Sequence, residues 1–244
     1  MDSIITITAL FFIVYTIVIA RRNKTPLAQY LKITWNKYAG QDIIAGLVIG
    51  LLAMAGIFCV ELGLGFISVQ NAFAIDIAFL SSLITLAIMA FAEELLFRSF
   101  MLTGFIRILK NRYIAVIIVA ALFGLAHAGN PNATVVSVIS NGLGGVMYSI
   151  AFIASESIWL PFGLHFAWNF FQGPVLGFPV SGMNYGGIIG QSFVGDQDIF
   201  TGGNYGPEGG IIGISFRIAV IILLLLYYQY RIKKRNNPAH NQNA

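Results

Sequence analysis

The chain of 244 residues is 57% hydrophobic and only 10% charged, with a mean hydropathy of +0.80, where a soluble domain carries roughly 25% charged residues. This excludes an ordinary soluble domain and implies a polytopic membrane protein, because a bilayer core of about 30 Å demands helical runs of about 20 mostly apolar residues. The formal charge of +4 is no sign of nucleic acid: the basic residues stand in short clusters beside apolar runs, where they set topology and meet membrane lipids.

Residues 4–20 form a first apolar span, followed at once by Arg21, Arg22 and Lys24. A signal peptide carries its charge before the apolar region, so this order predicts a retained span with the N-terminus outside. Residues 25–41, with Lys32, Trp35, Lys37 and Tyr38, read as a cytoplasmic interfacial segment, and residues 43–66 as a second span. Cys59, the single cysteine, allows no intramolecular disulfide and is expected to be a small buried apolar residue. Residues 72–91 run back inward as a third span and deliver Glu93, Glu94 and Arg98; the helix beyond either continues or breaks near Gly104, before the basic stretch of Arg107, Lys110 and Arg112.

Residues 113–127 rise as a short fourth span ending at Gly129-Asn130-Pro131, a turn signal. Residues 135–154 descend as a fifth span, in which Gly142, Gly144 and Gly145 permit close helix contact. After an inner turn at Ser155-Glu156-Ser157, residues 158–176 rise as a sixth span carrying His165 and Asn169. Residues 177–210, rich in Gly, Asn, Asp and Pro, are too polar to span and read as an outer loop long enough to be a lid or a substrate contact. Residues 211–230 return as a seventh span and leave the basic cluster Arg231-Ile232-Lys233-Lys234-Arg235 inside, with a disordered end from Pro238. Every Lys and Arg except Arg217 then lies on the cytoplasmic side. The expected fold is all-α, a transmembrane bundle of about seven spans with the N-terminus outside and the C-terminus inside.

Within this frame Glu93, Glu94 and Arg98 are out of place. Ionisable groups are costly in a bilayer, and when they cluster in an apolar segment they mark a functional site facing a protein or water-filled interior. Helical spacing puts Glu94 and Arg98 on one face with the acid N-terminal, while Glu93 points about 100° away, so one carboxylate is held and its neighbour is free. Of the three histidines, His240 lies in the polar tail and takes no role. His127 lies about as far beyond the turn at Lys110 to Arg112 as Glu93 lies before it, which matches their depths at about 1.5 Å per residue. His165 and Asn169 share a helix face. Two Glu, two His, one Asn and one Arg can therefore converge.

Carboxylate and imidazole together suffice to activate water: Glu takes the proton, while His orients the water or relays the proton. A histidine and an asparagine on the facing helix could donate to the oxyanion formed when water attacks a carbonyl. No GxSxG elbow, phosphate-binding glycine loop or cysteine–histidine neighbourhood competes. Peptide-bond hydrolysis is the reaction these groups suit best. A zinc site built from Glu93, His127 and His165 is the alternative, since two His and one Glu with an open position form a known catalytic set; the absence of HExxH and the nearby arginine weigh against it.

The motifs Glu93-Glu94-Leu95-Leu96-Phe97-Arg98, Phe123 to His127 and His165 to Asn169 stand in the order EExxxR, FxxxH, HxxxN. In this the chain resembles the CPBP family of intramembrane glutamic endopeptidases, which takes in CAAX prenyl proteases and bacteriocin-processing or immunity proteins. The likeness covers roughly residues 80–169, and Gly206-Pro207-Glu208-Gly209 also looks like bacterial members. The resemblance implies that Glu93 and His127 activate water, that His165 and Asn169 stabilise the oxyanion, and that Glu94 and Arg98 hold the site together. It implies a catalytic core over residues 72–176, preceded by two spans (1–71) and followed by the Gly-rich loop (177–210) and the last span with its basic tail (211–244). The substrate would be a membrane-associated peptide or lipidated protein, and the location a multi-pass place in a bacterial cytoplasmic membrane. A non-catalytic immunity or scaffold protein is the alternative; a proton-coupled transporter is disfavoured by the lack of an inverted repeat.

Overall fold

The computed structural model describes residues 2–72 and 77–235. The chain runs through α1 (Asp2–Arg22), the short α2 (Leu27–Tyr30), α3 (Ala39–Gly63), β1 (Ile67–Ala72) and α4 (Ile77–Glu94). It passes without a break through a π-helical stretch, Leu95–Leu102, into α5 (Thr103–Leu109), and then forms α6 (Arg112–Ala126) and α7 (Val135–Ser155). After α8 (Trp159–Phe170) and its π-helical extension, Phe171–Val175, come β2 (Ile189–Phe193), the single-turn α9 (Asp198–Thr201) and α10 (Ile211–Arg235). His240 and the tail from Pro238 lie outside the described residues.

Five helical stretches among the described residues are long and apolar enough to cross a membrane: Ile4–Arg22, Ala39–Gly63, Phe79–Leu109, Val135–Ser155 and Ile211–Tyr230. The shorter α6, and α8 with its extension, occupy the positions of the fourth and sixth predicted spans. Leu52, Ile84, Ile117, Ile139 and Leu226 are more than half exposed on the outer surface, which suits lipid rather than water. The protein is an all-α, multi-pass membrane bundle. Cys59, expected to be buried, instead stands on the exposed side of α3; a thiol is apolar enough to face lipid, so its sequence context does not distinguish the two sides.

Local signals explain where the helices stop and start. The chain does not break at Gly104, which lies within α5 where a Cβ would run into the Phe12 ring of α1. The break comes at Lys110, which adopts left-handed backbone (φ 51°), and Asn111 then caps α6 by accepting from the Tyr113 and Ile114 amides at 3.0 and 3.2 Å. A reciprocal capping box between Thr134 and Ser137 opens α7.

Two helix pairs set the frame of the interior. A Cβ on Gly46 would strike the Leu164 backbone and one on Gly163 the Ile43 backbone, so α3 and α8 touch main chain to main chain. Small residues at i and i+4, Gly46 with Gly50 and Gly163 with Ala167, provide that contact in a membrane, where apolar surface alone gives helices no reason to associate. The α6–α7 pair is equally close at Gly124 and Gly145, fulfilling the close contact expected at Gly145. Gly144 faces elsewhere, leaving room for the Arg217 guanidinium.

The segment that follows the second predicted span and part of the outer loop are extended. β1 and β2 pair antiparallel with Ile67 opposite Phe193 and Val69 opposite Gln191, and the ladder bulges between Val69 and Ala72. The Ser68 and Ser192 hydroxyls meet at 3.1 Å. Ile67-Ser68-Val69-Gln70 does alternate apolar and polar residues, but a partner so distant in sequence leaves no local hairpin signal.

Candidate active site

The carboxylate pair closes α4, and the chain beyond it winds as a π-helix. Such wide turns are uncommon and concentrate at functional sites, because they re-aim the side chains that follow. Arg98, inside this stretch, is fully buried and returns its Nε to Glu94 Oε2 at 3.2 Å, an ion pair rather than an aligned hydrogen bond. Its guanidinium also lies over Phe123 (4.6 Å from the ring centroid) and Tyr148 (5.2 Å), rings whose faces attract a cation. The same-face pairing of Glu94 with Arg98 is as the sequence predicts.

The other Glu94 oxygen reaches α8, where Oε1 is 2.8 Å from His165 Nδ1. A carboxylate beside that nitrogen accepts, so Nδ1 carries a proton and Nε2 is left for other work. Nε2 turns towards Glu93, whose Oε2 is 3.9 Å away and has no hydrogen-bond partner among the described residues. Glu94 is inaccessible while the Glu93 side chain is 29% exposed: one carboxylate is structural and its neighbour open.

His127 is placed by the end of a helix. It is the C-cap of α6, and its Nδ1 lies 2.8 Å from the Phe123 carbonyl, one of the last-turn carbonyls that lack an intrahelical partner. Because a carbonyl only accepts, the His127 proton sits on Nδ1 and the Nε2 lone pair is available. Glu93, His127, His165 and Asn169 all line one cavity of about 320 Å³. Arg98 and Glu94 stand behind it, buried. The six residues singled out in the sequence thus belong to one locus.

Other residues of this locus carry no motif. Tyr148 of α7 lines the cavity and lies flat against the His165 imidazole, with centroids 4.4 Å apart and planes at 16°. The far wall is supplied by the loop and α10. Arg217, the one basic residue off the predicted cytoplasmic side, is buried and pairs with Glu208 at 3.1 Å. It also donates to Ser140 Oγ (2.7 Å) and Asn141 Oδ1 (3.2 Å). Glu208 in turn accepts from the Ser181 amide and hydroxyl at 2.8 and 2.6 Å. Its misfit with the charge pattern was the available signal for Arg217, and the Gly206-Pro207-Glu208-Gly209 likeness the one for its partner in the loop. Tyr185, on the same loop, lines the cavity, and burial, with the Glu93 carboxylate adding to it, raises its phenol above the ordinary value. The Tyr205 phenol, which accepts from Asn141 Nδ2 at 2.6 Å, is pushed up to about 12 by burial and then by Glu208.

The zinc alternative needs Glu93, His127 and His165 to present their free atoms to one point. Among the described residues no three His, Cys, Asp or Glu side chains are grouped to hold a metal ion. The fully buried Arg98 guanidinium, 3.2 Å from Glu94, adds a fixed positive charge behind the site.

Comparison with known proteins adds an independent line. The family model described as type II CAAX prenyl endopeptidase Rce1-like matches residues 75–171, the stretch that holds all six side chains. The Bacillus subtilis (strain 168) protein YyaK, described as uncharacterized, is 37% identical over 94 residues, which is 37% of this chain and 31% of that protein. The chain therefore aligns with less than a third of that relative's length. No solved structure matches the chain.

Proposed function

We propose that this chain, whose residues 75–171 match the Rce1-like family model, is an intramembrane endopeptidase that hydrolyses a peptide bond in a membrane-associated peptide or lipidated protein without a metal. The observation that carries the reading is the meeting of an open carboxylate, Glu93, with His127, His165 and Asn169 on one cavity wall inside an apolar bundle. A binding protein has no need of an open carboxylate there, and the cost of keeping one is recovered only by chemistry.

In this reading water sits between Glu93 and His127. Its proton passes to the Glu93 carboxylate as its oxygen attacks the scissile carbonyl carbon, while the His127 Nε2 lone pair holds its second hydrogen. The carbonyl oxygen becomes an oxyanion and accepts from His165 Nε2 and Asn169 Nδ2. Donation from Nε2 requires the doubly protonated imidazole, for which Glu94 at Nδ1 is the counter-charge. The C–N bond then breaks and Glu93 returns its proton to the leaving amine, so that atoms and charge balance. Glu94 and Arg98 act by holding His165.

Orientation follows from charge. Contacts of Lys32 with Phe152, Arg107 with Tyr30 and Arg112 with Tyr228 gather the basic residues at one end of the bundle, which supports a cytoplasmic side there and an outer N-terminus in a bacterial cytoplasmic membrane. The test compares peptide termini in membrane fractions from cells carrying the native chain and cells carrying Glu93→Gln at matched expression. A small set of termini that depends on Glu93 is expected and names the substrate. Identical termini with an intact cellular phenotype would replace catalysis by an immunity or scaffold role.

A further inference from the structure

The geometry points to Tyr148 as the residue that fixes the plane of the His165 imidazole, and hence the aim of Nε2; as a statement about catalysis this rests on the function proposed above. His165 is held along one edge by the Glu94 hydrogen bond at Nδ1. A single hydrogen bond of this kind leaves the ring free to tilt about the line from its attachment to Glu94, and a tilt swings Nε2 away from the cavity. The Tyr148 ring closes off that motion by lying against the imidazole face, 4.4 Å away and nearly parallel.

Tyr148 is itself fixed. It is 2% exposed, the Arg98 guanidinium lies 5.2 Å from its ring centroid, and Phe123 meets it edge-on at 6.1 Å. The contacts close on themselves: Arg98 pairs with Glu94, Glu94 bonds His165, His165 stacks on Tyr148, and Tyr148 lies beneath Arg98. Edge and face of the imidazole are therefore referred to the same buried guanidinium. Tyr148 stands on α7, which carries none of the motif residues.

The aromatic face, and not the hydroxyl, does this positioning, so Tyr148→Phe should preserve it and Tyr148→Leu, of similar apolar character, should not. Full-length protein in detergent is labelled with ¹⁵N-histidine, and the His165 signals are assigned by their loss in His165→Gln. Native protein and Tyr148→Phe should show one well-defined ring environment, and Tyr148→Leu a shifted or broadened one, with His127 signals unchanged. In parallel, a quenched-fluorescent peptide carrying a Glu93-dependent cleavage site is assayed. Tyr148→Phe should turn over within about twofold of native, while Tyr148→Leu should lose about tenfold to a hundredfold in kcat with KM nearly constant, the size expected of a misaimed group. Unchanged His165 signals in Tyr148→Leu, or an equal loss in Tyr148→Phe, overturn the inference. Signals that change as expected, with no Glu93-dependent cleavage anywhere, uphold the stack and remove the protease reading instead.

Discussion

The Glu94 carboxylate that lies against Arg98 also bonds His165 across the bundle, with Oε1 2.8 Å from Nδ1. A buried acid so placed cannot lose its charge without orphaning a guanidinium. Glu94→Gln should therefore cost about 3–5 kcal/mol, the usual penalty for removing one partner of a buried pair. Thermal unfolding in detergent, native against variant, checks this. A melting temperature unchanged in Glu94→Gln would show that the pair does not hold the bundle.

Glu93 should behave in the opposite way. It is partly open and makes no hydrogen bond through Oε2 among the described residues, so Glu93→Gln should leave the melting temperature nearly unchanged while lowering turnover by about 10²–10⁴-fold, the range for a lost general base. Turnover of a Glu93-dependent reporter peptide measures it. Cleavage by native protein should persist in a strong zinc chelator; chelator-sensitive cleavage restored by stoichiometric zinc would transfer the role to a metal.

The α3–α8 contact is a packing prediction. A methyl on Gly46 meets the backbone of Leu160, Gly163 and Leu164, and one on Gly163 that of Ile43. Gly46→Ala or Gly163→Ala should destabilise by about 1–3 kcal/mol, as overpacking does, and should lower activity because α8 carries His165. Gly40→Ala, where nothing lies within 4 Å of the added carbon, is the control and should be neutral in the same unfolding experiment.

Glu208 and Arg217 tie the loop to α10 at 3.1 Å, both buried. Glu208→Ala removes the partner of a buried cation as well as the acceptor for Ser181, and residues 177–210 should become susceptible to limited proteolysis. Arg217→Met added to Glu208→Ala should cost less than the sum of the single changes, by about 1 kcal/mol or more in a double-mutant cycle. Strict additivity would mean that the pair is not coupled.

Much of the site could be read from sequence, because its members are ionisable groups in apolar runs, where composition makes them conspicuous. Helical periodicity then gave the Glu94–Arg98 pairing and the shared face of His165 and Asn169. Tyr148 escaped notice since an aromatic residue among apolar neighbours is compositionally ordinary, and its role arises from a stack between different helices. The π-helix after Glu94 has no marker in the side chains of Leu95–Leu102. The β1–β2 pairing and the Glu208–Arg217 pair join segments that periodicity treats separately, so only the folded chain reveals that the loop is part of the cavity wall.

That loop is attached on both sides of Gly195, by β2 to β1 before it and by Glu208 to Arg217 after it, and the cavity-lining residues Val180 to Tyr185 precede both. Between the attachments, Val194 to Asp196 is exposed, and an added Cβ at Gly195 meets nothing. The two halves should consequently differ in how they tolerate length: insertions at Gly195 leave the cavity wall standing, whereas any change of length before Ile189 moves the wall itself.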